Sequence, residues 1–169
     1  MTYLARQPAV DPKSDSRKGE TIARFFEAIQ SSDYAVLSEV LTPDAVTRWP
    51  QSGERITGAM ACVRVYENYP GGPPAYRVQR ILGTGDTWVA ELVADYGFER
   101  WHAVSVLEFE GDRIARMTDY FGPAFAAPEW RRELVEREDP AARPAALGPD
   151  PRDGDPAGTS RGIDTRGAS

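Results

Sequence analysis

The sequence predicts an α+β domain, with helices first and a run of antiparallel strands after them. Two observations carry this. Ile22, Phe25, Phe26 and Ile29 fall at the i, i+3, i+4, i+7 spacing of a one-sided helix. Later, three long strand-like segments with period-two patterning are joined by short glycine-containing links, the mark of consecutive antiparallel hairpins. Helical signals then strand signals, rather than alternation of the two, separate this class from a parallel α/β sheet.

Each element can be justified in turn. Leu37, Val40 and Leu41 continue the helical spacing into a second helix, with Asp33 as its expected N-cap and Pro43 as its stop. AVTRWPQSGERITG reads as two short strands about a Pro-Gln-Ser-Gly turn. A third helix is expected from about Ala59, with Thr57 as a possible cap, ending at Pro70-Gly71-Gly72-Pro73. YRVQRIL, TWVAELVADY and ERWHAVSVLEFE follow as strands, turning at Gly83-Thr84-Gly85-Asp86, Gly97-Phe98 and Gly111-Asp112, and RIARMTDYF closes the meander. Pro128 can open a short final helix that sets Trp130 and Leu134 one turn apart. Residues 1–18 are polar and broken by Pro8 and Pro12, so a flexible N-terminal arm is expected there and a domain over 19–138. Residues 139–169 hold no aromatic residue and are dominated by Pro, Gly, Asp and Arg. They are expected to form a disordered tail.

Composition narrows the function. The 169 residues carry a net charge of -6 and a pI of about 4.9. An acidic surface repels phosphate backbones and anionic lipid, so neither nucleic acid nor membrane is an expected partner. No apolar run approaches the roughly 20 residues that span a bilayer. Cys62 is the single cysteine, which rules out an internal disulfide and fits a cytoplasmic location. One histidine and one cysteine give no metal-ligand cluster, and no glycine-rich loop has the strand-to-helix setting of a nucleotide site. No cofactor and no metal are therefore expected.

The element order, together with WPQSGERITG, ENYPGGPP, WHAVSVLEFEGDRIARMTDYF and AAPEW, resembles the nuclear transport factor 2-like superfamily, in particular its SnoaL-like branch, over roughly residues 19–137. The resemblance implies a cone: a curved mixed or antiparallel sheet wrapped around about three N-terminal helices, enclosing a pocket, with a short C-terminal helix. Polyketide cyclases, ketosteroid isomerases, epoxide hydrolases, dehydratases and proteins with no catalytic role share that fold, so chemistry must come from the site. Thr118-Asp119-Tyr120-Phe121 is similar to the strand of limonene-epoxide-hydrolase-like enzymes whose Asp acts as an acid, which implies that role for Asp119. Those enzymes also use an Arg-x-Asp pair. Here the corresponding stretch reads Glu91-Leu92-Val93-Ala94-Asp95, without the arginine.

Strand pairing gives a separate route to a site. A two-residue turn at Gly111-Asp112 pairs Val104 with Asp119 and His102 with Phe121, while a turn one residue earlier pairs His102 with Asp119. Either register sets His102, Val104 and Val106 on one face with Ala115, Met117, Asp119 and Phe121. The hairpin at Gly97-Phe98 sets Glu91 opposite Val104. Asp119, His102 and Glu91 then form a candidate acid–base group on an apolar face, with Trp49, Phe26, Tyr66, Val104, Met117 and Phe121 as candidate pocket wall. A bulge would reverse this facing. The bland alternatives are a satisfied His102–Asp119 core pair, and Glu91 serving as a partner of Arg77, Arg80 or Arg100.

The expected function is that of a cofactor-independent isomerase, cyclase, dehydratase or hydrolase acting on a small apolar oxygenated molecule. The alternative is a non-catalytic ligand-binding or dimerisation module of the same fold. Trp88, Leu92, Trp101, Leu107 and Phe109 alternate away from the His–acid face, so they are expected on the outside of the sheet, where they suggest a homodimer.

Overall fold

The structure, a computed structural model, describes residues 12–137. The expected tail at 139–169 and the first eleven residues of the expected arm lie outside the described residues. The element order is α1 (Pro12–Ser31), α2 (Ala35–Val40), β1 (Leu41–Trp49), β2 (Glu54–Thr57), α3 (Ala59–Glu67), β3 (Ala75–Thr84), β4 (Thr87–Asp95), β5 (Arg100–Glu110), β6 (Arg113–Pro123) and a C-terminal 3-10 helix (Glu129–Leu134). The fold is α+β, as the patterning predicts.

Helix α1 starts inside the segment expected as an arm, and the reason is polar anchoring. Asp15 accepts hydrogen bonds from the Thr84 hydroxyl at 3.2 Å and the Gly85 amide at 3.1 Å. The Lys18 side chain is buried, donates to the Gly85 carbonyl at 2.9 Å and the Asp86 carboxylate at 2.7 Å, and lies 5.7 Å from the Phe109 ring centroid. These contacts tie the front of α1 to the β3–β4 turn. Hydropathy cannot see such an anchor, because its groups are charged.

Three local readings change. Tyr34, not Asp33, is the N-cap of α2, and it makes no side-chain cap bond. Pro43 does not stop a helix. It sits within β1 between Leu41 and Val46, where pairing with β6 is interrupted, so its missing N–H costs no ladder bond. Helix α3 is entered through Gly58 at φ 95°, a conformation that favours glycine, rather than through Thr57.

The six strands form one curved sheet in the order β2-β1-β6-β5-β4-β3. The meander β3–β6 is antiparallel throughout, but β1 returns parallel to β6 and antiparallel to β2. The helices cover one face. Ile22, Phe25 and Ile29 of α1 are fully buried, as are Leu107, Ile114 and Met117 of the sheet. Each such side chain contributes roughly 1.5–3 kcal/mol by leaving water.

Two β-bulges decide which residues face this core. In β6, Glu108 pairs with Arg116 but Phe109 pairs with Ile114, so Ala115 is the extra residue. In β3, Val78 pairs with Leu92 but Arg80 pairs with Glu91, so Gln79 is extra. Each bulge puts two apolar residues three apart on the inner face: Ile114 and Met117, then Val78 and Ile81. The β6 bulge also pairs Ser105 with Asp119, Val104 with Tyr120 and His102 with Gly122. Asp119 therefore shares a face with Ser105, and His102 and Val104 lie on the other side of the sheet. The residues expected outside turn inward: Trp88, Leu92, Leu107 and Phe109 are buried, and Trp101 is half-buried.

The expected final helix is a 3-10 helix with no buried residue, and Trp130 and Leu134 are exposed. Among the described residues no helix is long and apolar enough to cross a membrane.

Candidate functional site

Inside the curve of the sheet lies a cavity of about 430 Å³, within the usual range of small-molecule sites. Five of the six expected wall residues line it: Phe26 from α1, Trp49 from β1, Tyr66 from α3, and Met117 and Phe121 from β6. Val104 does not. It is exposed on the outer face because of the β6 bulge.

Asp119 lines the cavity. The Trp49 indole N–H donates to its Oδ2 at 3.0 Å, and the Ser105 hydroxyl donates to its Oδ1 at 2.6 Å. Burial pushes its pKa above the ordinary carboxylate value, and the bonds from Ser105 and Trp49 oppose that rise without cancelling it. The result is a carboxyl group that is oriented at both oxygens, poorly solvated and easier to protonate than a surface aspartate. Such a group can take a proton from a carbon acid or give one to a leaving oxygen.

The other two expected members of the acid–base group are elsewhere. His102 is exposed on the outer face, opposite Val93 and Gly122. Glu91 pairs in register with Arg80 on that same face and forms an ion pair with it at 2.5 Å. The structure thus brings Asp119 to the cavity without His102 or Glu91. Ser105, which the sequence reading passed over, is the residue that joins it. Its signal was a lone small hydroxyl in the apolar run Val104-Ser105-Val106-Leu107.

Farther toward the rim, the hydroxyls of Tyr69 and Tyr96 are hydrogen-bonded at 2.8 Å. Burial raises the Tyr66 and Tyr76 pKa values, so both phenols stay protonated near neutral pH. Cys62 is buried beside Thr47, outside the cavity lining, and burial pushes its thiol up to about 11, which leaves it unreactive.

The model of the SnoaL-like domain matches residues 22–117. This chain belongs to the SnoaL-like family. Among solved structures, a nuclear transport factor 2-like protein of unknown function from Burkholderia xenovorans is 30% identical, with a TM-score of 0.69, over 75% of this chain and 98% of its own. A putative ketosteroid isomerase from Kribbella flavida is 26% identical, with a TM-score of 0.65, over 73% of this chain and 91% of its own. The fold is shared further with a putative polyketide cyclase from Streptomyces antibioticus, 21% identical with a TM-score of 0.53, over 62% of this chain and 91% of its own. No curated protein matches the sequence. The SnoaL-like match ends at Met117, two residues before Asp119, so the assignment of the acid rests on the cavity.

The two donors to Asp119 have a measurable consequence. Each favours the charged carboxylate, so Ser105→Ala and Trp49→Phe should each raise the Asp119 pKa further, and the double variant should raise it most. The carboxyl carbon chemical shift of Asp119, followed against pH, reports this directly. A midpoint that stays put or falls would mean that these bonds do not govern the carboxylate.

Proposed function

We propose that this SnoaL-like protein is a cofactor-independent enzyme in which Asp119 serves as the acid–base group for a small, apolar, oxygenated molecule. The observation that carries the proposal is a carboxyl group with a raised pKa, oriented by two donors inside an apolar cavity. The step it best supports is removal of a proton from carbon beside a carbonyl and its return to another atom of the same molecule. Isomerisation, cyclisation and dehydration are built from that step. The name of the Kribbella flavida neighbour, a putative ketosteroid isomerase, is in keeping with it. His102 and Glu91 take no part, since both lie across the sheet. The single buried Cys62 suits a reducing compartment such as the cytoplasm.

The test needs no natural substrate. 5-Nitrobenzisoxazole is neutral and flat, and its ring opens when a base removes one carbon-bound proton. The protein should accelerate this opening well beyond free acetate, with a rate that rises with pH through a midpoint above the ordinary carboxylate range. A rate no better than acetate, or one without that midpoint, favours the second reading, a non-catalytic ligand-binding module. One observation favours that module: the groups bonded to Asp119, a serine and a tryptophan, cannot take up a proton from it.

We also propose a two-fold homodimer, on a patch different from the one the sequence suggested. On the outer face Leu82, Val104 and Tyr120 are 47%, 38% and 49% exposed, and Val89 and Val106 lie between them in register. An apolar patch crossing four strands is an interface signal. Light scattering should give a dimer mass, and Val104→Lys should give a monomer with unchanged circular dichroism. A monomer mass for the wild type at micromolar concentration rejects the interface.

A further inference from the structure

The acid–base reading leaves unused a chemical bias in the cavity wall. About half of the lining side chains are aromatic rings, and every ionisable carboxylate or base among them is an acid: Asp119, Glu54 and Glu99. The chain has 20 lysines and arginines, yet among the described residues none lines the cavity, nor does the single histidine.

The rings form a continuous belt. Tyr96 lies 6.4 Å from Tyr69 and 6.0 Å from Trp101, Trp101 lies 5.9 Å from Phe121, and Phe121 lies 6.0 Å from Trp49, centroid to centroid. Hydrogen bonds fix parts of this belt: Tyr69 is tied to Tyr96, and the Trp101 indole N–H donates to the Glu99 carboxylate at 2.7 Å. Ring faces are the negative part of the aromatic quadrupole and attract cations. The exposed carboxylates at the rim add an attraction that salt weakens. An anion would meet the opposite conditions: no cationic partner, ring faces that repel it, and an acid already present at depth.

From the ring belt and the one-signed charges together, we infer that the ligand of this cavity carries a cationic nitrogen, a tertiary amine or a quaternary ammonium, on an apolar body. The nitrogen lies against the aromatic belt near Glu99 while the apolar body reaches toward Asp119. The inference rests on the cavity being the ligand site and adds the charge class of the ligand to that reading.

Matched probes test it. Benzyltrimethylammonium and neopentylbenzene differ by one nitrogen in place of one carbon, and phenylmethanesulfonate supplies the anion. Equilibrium dialysis of the full chain at low ionic strength should show the ammonium bound about tenfold more tightly than its uncharged isostere. The sulfonate should not bind measurably. In Trp101→Leu the ratio of ammonium to isostere affinity should fall toward one, and added salt should lower the ammonium affinity alone. A wild-type ratio of one or below, sulfonate binding equal to the ammonium, or no ammonium binding at millimolar concentration overturns the inference. Binding is read here without turnover. Loss of the charge preference alongside an active ring-opening reaction rejects this inference alone, and the preference without ring opening rejects the acid–base reading alone.

Discussion

Asp119→Asn should reduce the opening of 5-nitrobenzisoxazole by about 10²- to 10⁴-fold while leaving the protein folded. Asparagine keeps the shape of the side chain: its carbonyl oxygen accepts from the Trp49 indole while its amide donates to the Ser105 hydroxyl, which can turn to accept, but it cannot exchange a proton. Its effect on stability has a definite sign. Burial raises the Asp119 pKa, so the folded state holds this proton more tightly than the unfolded state does. That contribution is fully present below the ordinary carboxylate pKa and is lost as pH rises through the raised value. The wild type should therefore lose thermal stability across this window relative to Asp119→Asn, and the variant should be as stable or more so at neutral pH. Thermal midpoints of both proteins from acid to neutral pH make the comparison. A variant that is clearly less stable at neutral pH would mean that the ionised carboxylate is a structural keystone rather than a strained functional group.

Gly83→Ala should cost about 1–3 kcal/mol and lower the thermal midpoint by several degrees. Gly83 pairs with Trp88 at the end of the β3–β4 hairpin. A Cβ at this position would stand 2.5 Å from Trp88 Cδ2 and 2.7 Å from Trp88 Cα, and the second of these is backbone. The ring has no easy retreat: it is buried, and its indole N–H is held by the Gly85 carbonyl at 3.1 Å. The strands would have to part where Asp15 and Lys18 anchor α1, so the damage would reach the front of the helix. Urea unfolding of the two proteins measures the loss. An unchanged midpoint would show that the hairpin end yields freely.

Most of the fold was legible because its punctuation is local. Gly97 and Gly111 mark turns, and Ile22, Phe25 and Ile29 mark a helix face, whatever the rest of the chain does. The site was legible only in part. The Asp119 assignment came from its four-residue strand motif, and the structure sets that residue against the cavity. The partners were misread because a bulge changes side-chain phase without changing composition. The sign of a phase break is the pair Ile114 and Met117, two apolar residues three apart, which a regular strand would send to opposite faces and which the fold buries together. Tracing a single alternation from Ala115 through Phe121 ignored Ile114 and carried His102 and Glu91 to the wrong side. The start of α1 was missed for another reason. Its anchors, Asp15 and Lys18, find their partners about 70 residues away in the chain.

The parallel return of β1 beside β6 gives the carboxyl group a history in the folding of the chain. Ser105 is 14 residues from Asp119, and the β5–β6 hairpin brings them together by local pairing. Trp49 is 70 residues from Asp119 and arrives only when the first strand closes against the last. Closing the longer loop carries the larger entropic cost. A hairpin that had formed alone would hold Asp119 by one oxygen, in water, without the burial that raises its pKa. The second donor, the desolvation and the cavity come with the same long-range closure, so the altered acidity of Asp119 belongs to the completed topology and to no shorter piece of it.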